Sequence, residues 1–401
     1  MTESTAPRRA GIRHLLDITP FLNAWIEVNL DALDHNVAEM RRVTGPGIEL
    51  IAVVKANAYG AGVEGVAPAL EAAGVDRFAV VWPAEGIQLR RFGVTRPIIV
   101  LGHAFPADAE AAVAHDLTLT CHSLDLGKAL AAAAIARERV ARVHIKIDTG
   151  LHRFGVALDD GVALAEALRT IPGIEVEGLT THMANADEVD DSFAESQLAR
   201  FAQAVERLPW IPFRHTANSA TTLRRPALRY NGVRTGLVLH GVRPPNTPGP
   251  PLHPILSLKA RLARVTSVAP GEGVAYGLTW RASRPSRVGL VPFGYADGWR
   301  RSLGNRGEVL VGGRRCPIAG RVMMDHFLID VTAIDGAAEG DEVVLIGCQG
   351  EACITADELA ELAGTIAWDI FASLQARPPR LYHRSGVIER AVGLADAEHG
   401  S

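Results

Sequence analysis

The chain has 401 residues, 48% hydrophobic and 21% charged, the balance of a globular enzyme large enough for two domains or for a barrel with an appendage. A formal net charge of −4 leaves no electrostatic footprint for nucleic acid or an anionic membrane, and no apolar run approaches the length that spans a bilayer. Residues 1–23 read as a flexible extension, because Met1 to Arg13 carries Ser, Thr, Pro and three arginines but no apolar core of a secretory signal.

From about residue 48, short apolar runs alternate with Ala/Leu/Glu/Arg-rich stretches, the pattern of βα units around a parallel sheet. Strands are expected at 50–54, 78–81, 98–101, 117–121, 143–147, 176–180, 213–216 and 231–235. Helices are expected at 63–73, 83–92, 107–115, 125–136, 160–169 and 193–208, with Ser123 and Asp191 among the capping residues. Eight such units close most economically as a TIM-like (β/α)8 barrel, here assigned to residues 24–245 of an α/β protein. An open doubly wound sheet is the rival, but no Gly-x-Gly-x-x-Gly follows the first strand to support a dinucleotide-binding version. The Pro-rich segment 244–251 then suits a domain boundary.

Residues 252–390 read as a C-terminal β-rich domain, with strands near 256–268, 287–292, 308–311, 315–319, 327–331 and 342–346 and one clear helix at 356–363. The strand-like 24–30 is a candidate partner for that domain, and 391–401 is a tail. Cys121, Cys316, Cys348 and Cys353 show no Cys-x-x-Cys pairing and no histidine at zinc-ligand spacing. Free thiols in a reducing compartment, by default the cytoplasm, are the simplest expectation, with no metal site.

In Ala52-Val53-Val54-Lys55-Ala56-Asn57-Ala58-Tyr59-Gly60, a buried strand ends in an amine. Desolvation there lowers the amine's pKa and makes Lys55 a candidate Schiff-base nucleophile, although a lone strand-end lysine also reads as one snorkelling to solvent. Other chemistry-bearing strings fall at later strand ends, where barrel sites collect. They are Lys146 to Arg153, Thr181-His182, His215 to Ser219, and Arg234 to Leu237. Together they offer an amine, two arginines, hydroxyls and a glycine turn, the parts that hold a charged aromatic aldehyde with a phosphate handle.

The run 52–60, Asp148-Thr149-Gly150 with Arg153, Ala217-Asn218-Ser219, Gly294 to Trp299, and Gly320-Arg321 with Met324-Asp325 closely resemble the motifs of fold-type III alanine racemases. The likeness runs from about Trp25 to about Arg384. It implies a pyridoxal 5'-phosphate enzyme that racemises a small amino acid, alanine first, with Lys55 carrying the cofactor. Tyr59, Ser219, Gly236 and Leu237 would then cradle the cofactor's phosphate, and Asn218 would also bind the cofactor. His182 would lie against its ring, and Arg234 would face the pyridine nitrogen. Arg153 would approach the phenolic oxygen and the substrate carboxylate, beside Lys146, a position that many relatives carbamylate. Tyr276 would be the second base, reaching the site from the partner subunit as Met324 does, so a homodimer with composite sites is implied; Met324 and Asp325 would bind substrate with Arg153.

Three positions depart from the family pattern: Ala376, His152 and His240. They leave the two bases in place and put strict alanine specificity in question. The alternatives are a serine or broader-specificity racemase, or a decarboxylase-like enzyme of the same fold type. A non-enzymatic cofactor carrier would be a bare barrel, and the second domain counts against it.

Overall fold

A computed structural model describes residues 13–190 and 192–393, which divide into two compact units. One unit is Ala32–Pro254, and the other joins the residues up to Asp31 with those from Ile255 onward.

Ala32–Pro254 is built on eight parallel strands: β1 (Glu49–Val53), β2 (Arg77–Val80), β3 (Ile98–Val100), β4 (Leu117–Cys121), β5 (Ala141–Lys146), β6 (Ile174–Thr180), β7 (Phe213–His215) and β8 (Gly232–Thr235). Each pairs with the next, and β8 returns to β1 with Arg234 opposite Ile51. Between β7 and β8 the ring closes by a parallel bridge, Ala217 to Val233, rather than a full ladder. Most strand residues are buried, as expected where helices cover the outside and side chains fill the inside. The helices between them, Val63–Ala72, Pro83–Arg91, Ala109–Ala114, Leu124–Ala136, Leu158–Arg169 and Ser192–Arg207, fall within two residues of their expected places. Ser123 caps as expected by accepting from Leu126 N at 3.2 Å; Asp191 lies outside the described residues.

The other unit is mostly antiparallel sheet and departs in several places from the sequence reading. Part of the presumed extension is ordered: Arg13–His14 pairs with Val387–Val392, and short helical turns follow at Leu15–Ile18 and Thr19–Phe21. Residues 1–12 and 394–401 lie outside the described residues. Strand Ala24–Asn29, the candidate partner for this domain, lies between Leu256–Arg261 and Arg380–Arg384, so the barrel boundary drawn at 24 falls too early. Its buried Trp25, Ile26 and Val28 explain why it belongs in that sheet. The single run 256–268 is two strands, Leu256–Arg261 and Arg264–Val268, in separate sheets. Finally, Cys348 and Cys353 are joined by a disulfide rather than free, because the hairpin Glu342–Gln349/Ala352–Ile354 sets them directly opposite each other. Cys121 and Cys316 are free and buried. A second helix at Ala367–Ala372 and the strands Arg380–Arg384 and Val387–Val392 were not expected. Among the described residues no helix is long and apolar enough to cross a membrane.

Candidate active site

The carboxyl ends of the barrel strands gather the expected residues of Ala32–Pro254 on one face. Lys55 begins a turn in which Ala56, Asn57, Ala58 and Tyr59 all have φ between 50° and 56°, a left-handed turn of L-residues. Such backbone costs about 1–2 kcal/mol per non-glycine residue, so something must hold it. Glu85 supplies one tie: its carboxylate accepts from Ala56 N at 2.7 Å, Val81 N at 2.8 Å and Trp82 N at 2.9 Å, linking the lysine turn to the loop after β2. Asn57 Oδ1 supplies another by accepting from Val63 N at 2.9 Å. Burial, then the charge of Arg153, lowers the Lys55 amine, opposed by Glu85. The neutral, nucleophilic form is thereby favoured.

Lys146 ends β5 as a buried amine beneath the Phe154 ring. Burial first, then the charges of Arg234 and Arg153, lower it to about 8 against the opposing pull of Asp148. Asp148 shapes the next loop, accepting from Gly150 N at 3.0 Å and His152 N at 3.1 Å. His152 itself points outward, its imidazole 3.1 Å from Asp148. A buried glutamine that sequence reasoning passed over braces this loop. Gln197 donates to Thr149 Oγ1 and to His182 O, both at 3.1 Å, and accepts from Ala184 N at 2.8 Å, so it ties the β5 and β6 loops together. No motif marks it; it reads as one polar residue within an amphipathic helix.

Arg234 on β8 is buried and anchored through both terminal nitrogens. Nη1 donates to His215 O at 2.7 Å, and Nη2 donates to Thr181 O at 2.8 Å, Thr216 O at 3.0 Å and His182 Nδ1 at 3.1 Å. Burial, then Arg153, lowers it to about 9, so it remains a cation at neutral pH. Burial followed by the charge of Arg234 holds both His182 and His215 well below the ordinary imidazole value, so both rings are neutral.

At the end of β8, Gly236 N donates to Ser219 Oγ at 3.3 Å, and a Cβ on Gly236 would collide with Tyr59 Oη. Burial raises the Tyr59 phenol, so it stays a protonated donor, and its ring meets His240 edge-on at 5.5 Å. Thr235 Oγ1 is buried with no partner among the described residues. The glycine, serine and tyrosine form a small polar cradle closed to larger side chains, a fit for a phosphate group. Asn218 Oδ1 is already engaged, accepting from Thr221 N at 2.9 Å as the cap of Ser219–Arg224.

Tyr276, Met324 and Asp325 belong to the other unit. Tyr276 is 71% exposed and is flanked by positive φ at Ala275 and Leu278. The Arg321 guanidinium packs against the following Gly277, where a Cβ would lie 3.1 Å from its Cζ. Met324 is exposed too. Asp325 accepts from Arg377 at 2.7 Å, and Arg377 also binds the buried Asp297, at 2.6 Å through Nη2. Ala376, beside that arginine, is exposed.

Residues 28–244 match the family model for the alanine racemase N-terminal domain, and residues 255–382 match that for the C-terminal domain. An alanine racemase of Geobacter sulfurreducens is 41% identical over 374 residues, covering 91% of this chain and 98% of that protein. One of Halothermothrix orenii is 40% identical, covering 89% of this chain and 96% of its own. The crystal structure of alanine racemase from Bacillus anthracis with bound L-Ala-P superposes with a TM-score of 0.88 at 35% identity, covering 94% of this chain and 99% of that one. With both domains matched and relatives aligned over nearly their whole length, this chain belongs to the alanine racemase family.

Proposed function

We propose that the protein interconverts L- and D-alanine with pyridoxal 5'-phosphate, using Lys55 and Tyr276 as bases on opposite faces of the α-carbon. The observation that carries this reading is Lys55 itself, a desolvated amine at a strand end within a cluster of cations, Arg153 and Lys146 acting with it and Arg234 acting on Lys146. That surplus suits a phosphorylated cofactor and a carboxylate substrate.

Tyr59, Ser219, Gly236 and Leu237 would hold the phosphate, with Asn218 shaping the turn that presents Ser219. His182 would lie against the ring, Arg234 at its nitrogen and Arg153 near its phenolic oxygen. When bound, the cofactor supplies an electron sink that makes the substrate's α-hydrogen removable. A guanidinium does not surrender its proton near neutral pH, so Arg234 keeps the ring nitrogen unprotonated and the sink weak. Reprotonation at the α-carbon is then favoured over transamination.

Lys55 holds or accepts the proton on one face and Tyr276 on the other. A tyrosine is a poor base at its reference pKa near 10 and needs a cation; Arg321, packed beside the Tyr276 turn, supports that role. Tyr276, Met324 and Asp325 would come from a second copy of the chain, making a homodimer with composite sites. Mixing inactive Lys55→Ala and Tyr276→Phe chains should then restore activity, because one site in each mixed dimer is intact. No recovery despite demonstrated exchange of subunits would place both bases in one chain.

At about 8, Lys146 presents neutral amine for carbamylation. The neutral nitrogen bonds to the carbon of CO2 and releases one proton; counted from the protonated amine two protons leave, and a cation beside Arg153 gives way to an anion. Intact-protein and peptide mass spectrometry under CO2 would detect that group. The proposed location is the cytoplasm, where the exposed Cys348 would favour reduction of its bond to Cys353. Incubation with L- or D-alanine in deuterated water tests the central reading: both should racemise and acquire α-deuterium. No change of chirality with cofactor supplied would reject it.

A further inference from the structure

Beneath Arg234, a line of hydrogen bonds crosses the barrel interior to a carboxylate that no motif marks. Arg234 Nη1 lies 2.8 Å from His215 Nδ1, and His215 Nε2 lies 2.9 Å from His144 Nδ1. His144 Nε2 then lies 3.0 Å from Glu177 Oε2, while the other Glu177 oxygen accepts from Arg77 at 2.7 Å. Both imidazoles are fully buried.

The two ends of this line are chemically one-sided. A guanidinium only donates, and an ionised carboxylate only accepts. Burial alone would raise Glu177, but the hydrogen bond from His144 and the charge of Arg77 overcome it and hold the carboxyl at about 2. With both rings neutral, one arrangement satisfies every member. His215 accepts at Nδ1 and carries its proton on Nε2; His144 does the same and donates from Nε2 to Glu177.

Local backbone is built to permit this. In the β5–β6 ladder Val143 opposes Val176 and His144 opposes Gly178, so Glu177 is the extra residue of a bulge. Bulges re-aim side chains. Gly178 leaves the space that the His144 ring fills, since a Cβ there would stand 2.5 Å from ring carbon Cδ2.

We propose that Glu177 is a positioning residue for Arg234, acting through His144 and His215 by fixing the tautomer of both rings. In the reversed arrangement, with protons on both Nδ1 atoms, His215 would present N–H to Arg234 N–H. His144 would also present a lone pair to the Glu177 carboxylate. Removing the carboxylate narrows that balance, because the first arrangement then leaves His144 Nε2–H unpaired while the reversed one no longer sets a lone pair against a carboxylate. His215 would no longer hold Arg234 Nη1 in all molecules.

The inference rests on the reading of Arg234 as the residue at the cofactor's ring nitrogen. Its test is long-range proton–nitrogen correlation NMR on holoenzyme labelled with 15N-histidine, beside kinetics. Wild type should show His144 and His215 only as Nε2–H tautomers. Glu177→Met should show a mixture at His215 and lower kcat about tenfold or more with little change in KM. Glu177→Gln can still accept from His144, so it should keep the wild-type tautomers and most of kcat. If Glu177→Met does not fold, His144→Phe should give the same mixture at His215. Nδ1–H on either ring in wild type overturns the proposal, as do unchanged tautomers in a folded Glu177→Met or His144→Phe. Equal loss of kcat in Glu177→Met and Glu177→Gln also overturns it, since charge alone would then be responsible. Failure to bind pyridoxal phosphate would instead strike the functional reading and leave the tautomers as described.

Discussion

The carboxyl ends of the barrel strands and the strand bodies beneath them treat charge in opposite ways. Above, burial lowers Lys55, Lys146 and Arg234, the charge of Arg153 lowers all three further, and the opposing carboxylates are already occupied. Glu85 is bound to three backbone N–H groups, and Asp148 is bound within its own loop. Below, Arg77 sits between Glu49 and Glu177, and each charge has a partner of opposite sign. A region that pairs its charges internally is built for stability. One that leaves a positive surplus is built to receive an anion.

The largest effect should come from removing the amine above. Lys55→Ala should keep its melting temperature but lose turnover by at least about 10⁴-fold. Borohydride reduction and peptide mapping of wild type should place the cofactor on Lys55; an adduct on Lys146 would reassign the two amines.

Tyr276→Phe keeps the ring and loses the ionisable oxygen. Full turnover should fall about 10²–10⁴-fold in both directions, because the L/D equilibrium cannot change. Exchange of the α-hydrogen with solvent should persist from D-alanine through Lys55 and collapse from L-alanine. Equal residual exchange from both isomers, read by mass spectrometry in deuterated water, would rule Tyr276 out as the L-face base.

In the lower region the effects should be on stability. Gly178→Ala drives a Cβ into the His144 ring and should cost about 1–3 kcal/mol of unfolding free energy, measured by urea titration. No loss would mean the interior adjusts more readily than its geometry implies.

The smallest effect should be a pH dependence. Glu177 is held at about 2 in the fold, below its ordinary 4.5, so its stabilising contribution is full above 4.5 and is lost as pH falls toward 2. The gap in stability between wild type and Glu177→Gln should therefore be widest at pH 7 and shrink at pH 3. A gap independent of pH would show that the carboxylate is not held by charge.

The same contrast explains what could be read in advance. The barrel strands were legible because both of their faces are buried, which makes them apolar runs such as Ile51 to Val53. The upper residues were legible because their strings match a family. Glu177, His144 and Arg77 were not, since a charged residue within a strand ordinarily reads as its solvent side. The run Glu175-Val176-Glu177-Gly178 gives no sign that a bulge sends one glutamate inward. For Ala24–Asn29 the partner domain was a candidate but the barrel boundary was still drawn at 24, because its ladder partners lie more than two hundred residues later in the chain. Glu85 and Gln197 act on backbone groups of distant loops, a role that leaves no local pattern.

The left-handed turn after Lys55 inverts a rule of protein engineering. In an ordinary helix, alanine is the best residue and glycine costs about 1 kcal/mol. At φ of 53° the preference changes sign, because the Cβ of Ala56 is what the backbone must accommodate. A helix-propensity scan would protect Ala56 and avoid glycine there. Ala56→Gly would instead relieve the turn, and a β-branched residue at the same place would be among the least tolerated changes in the chain.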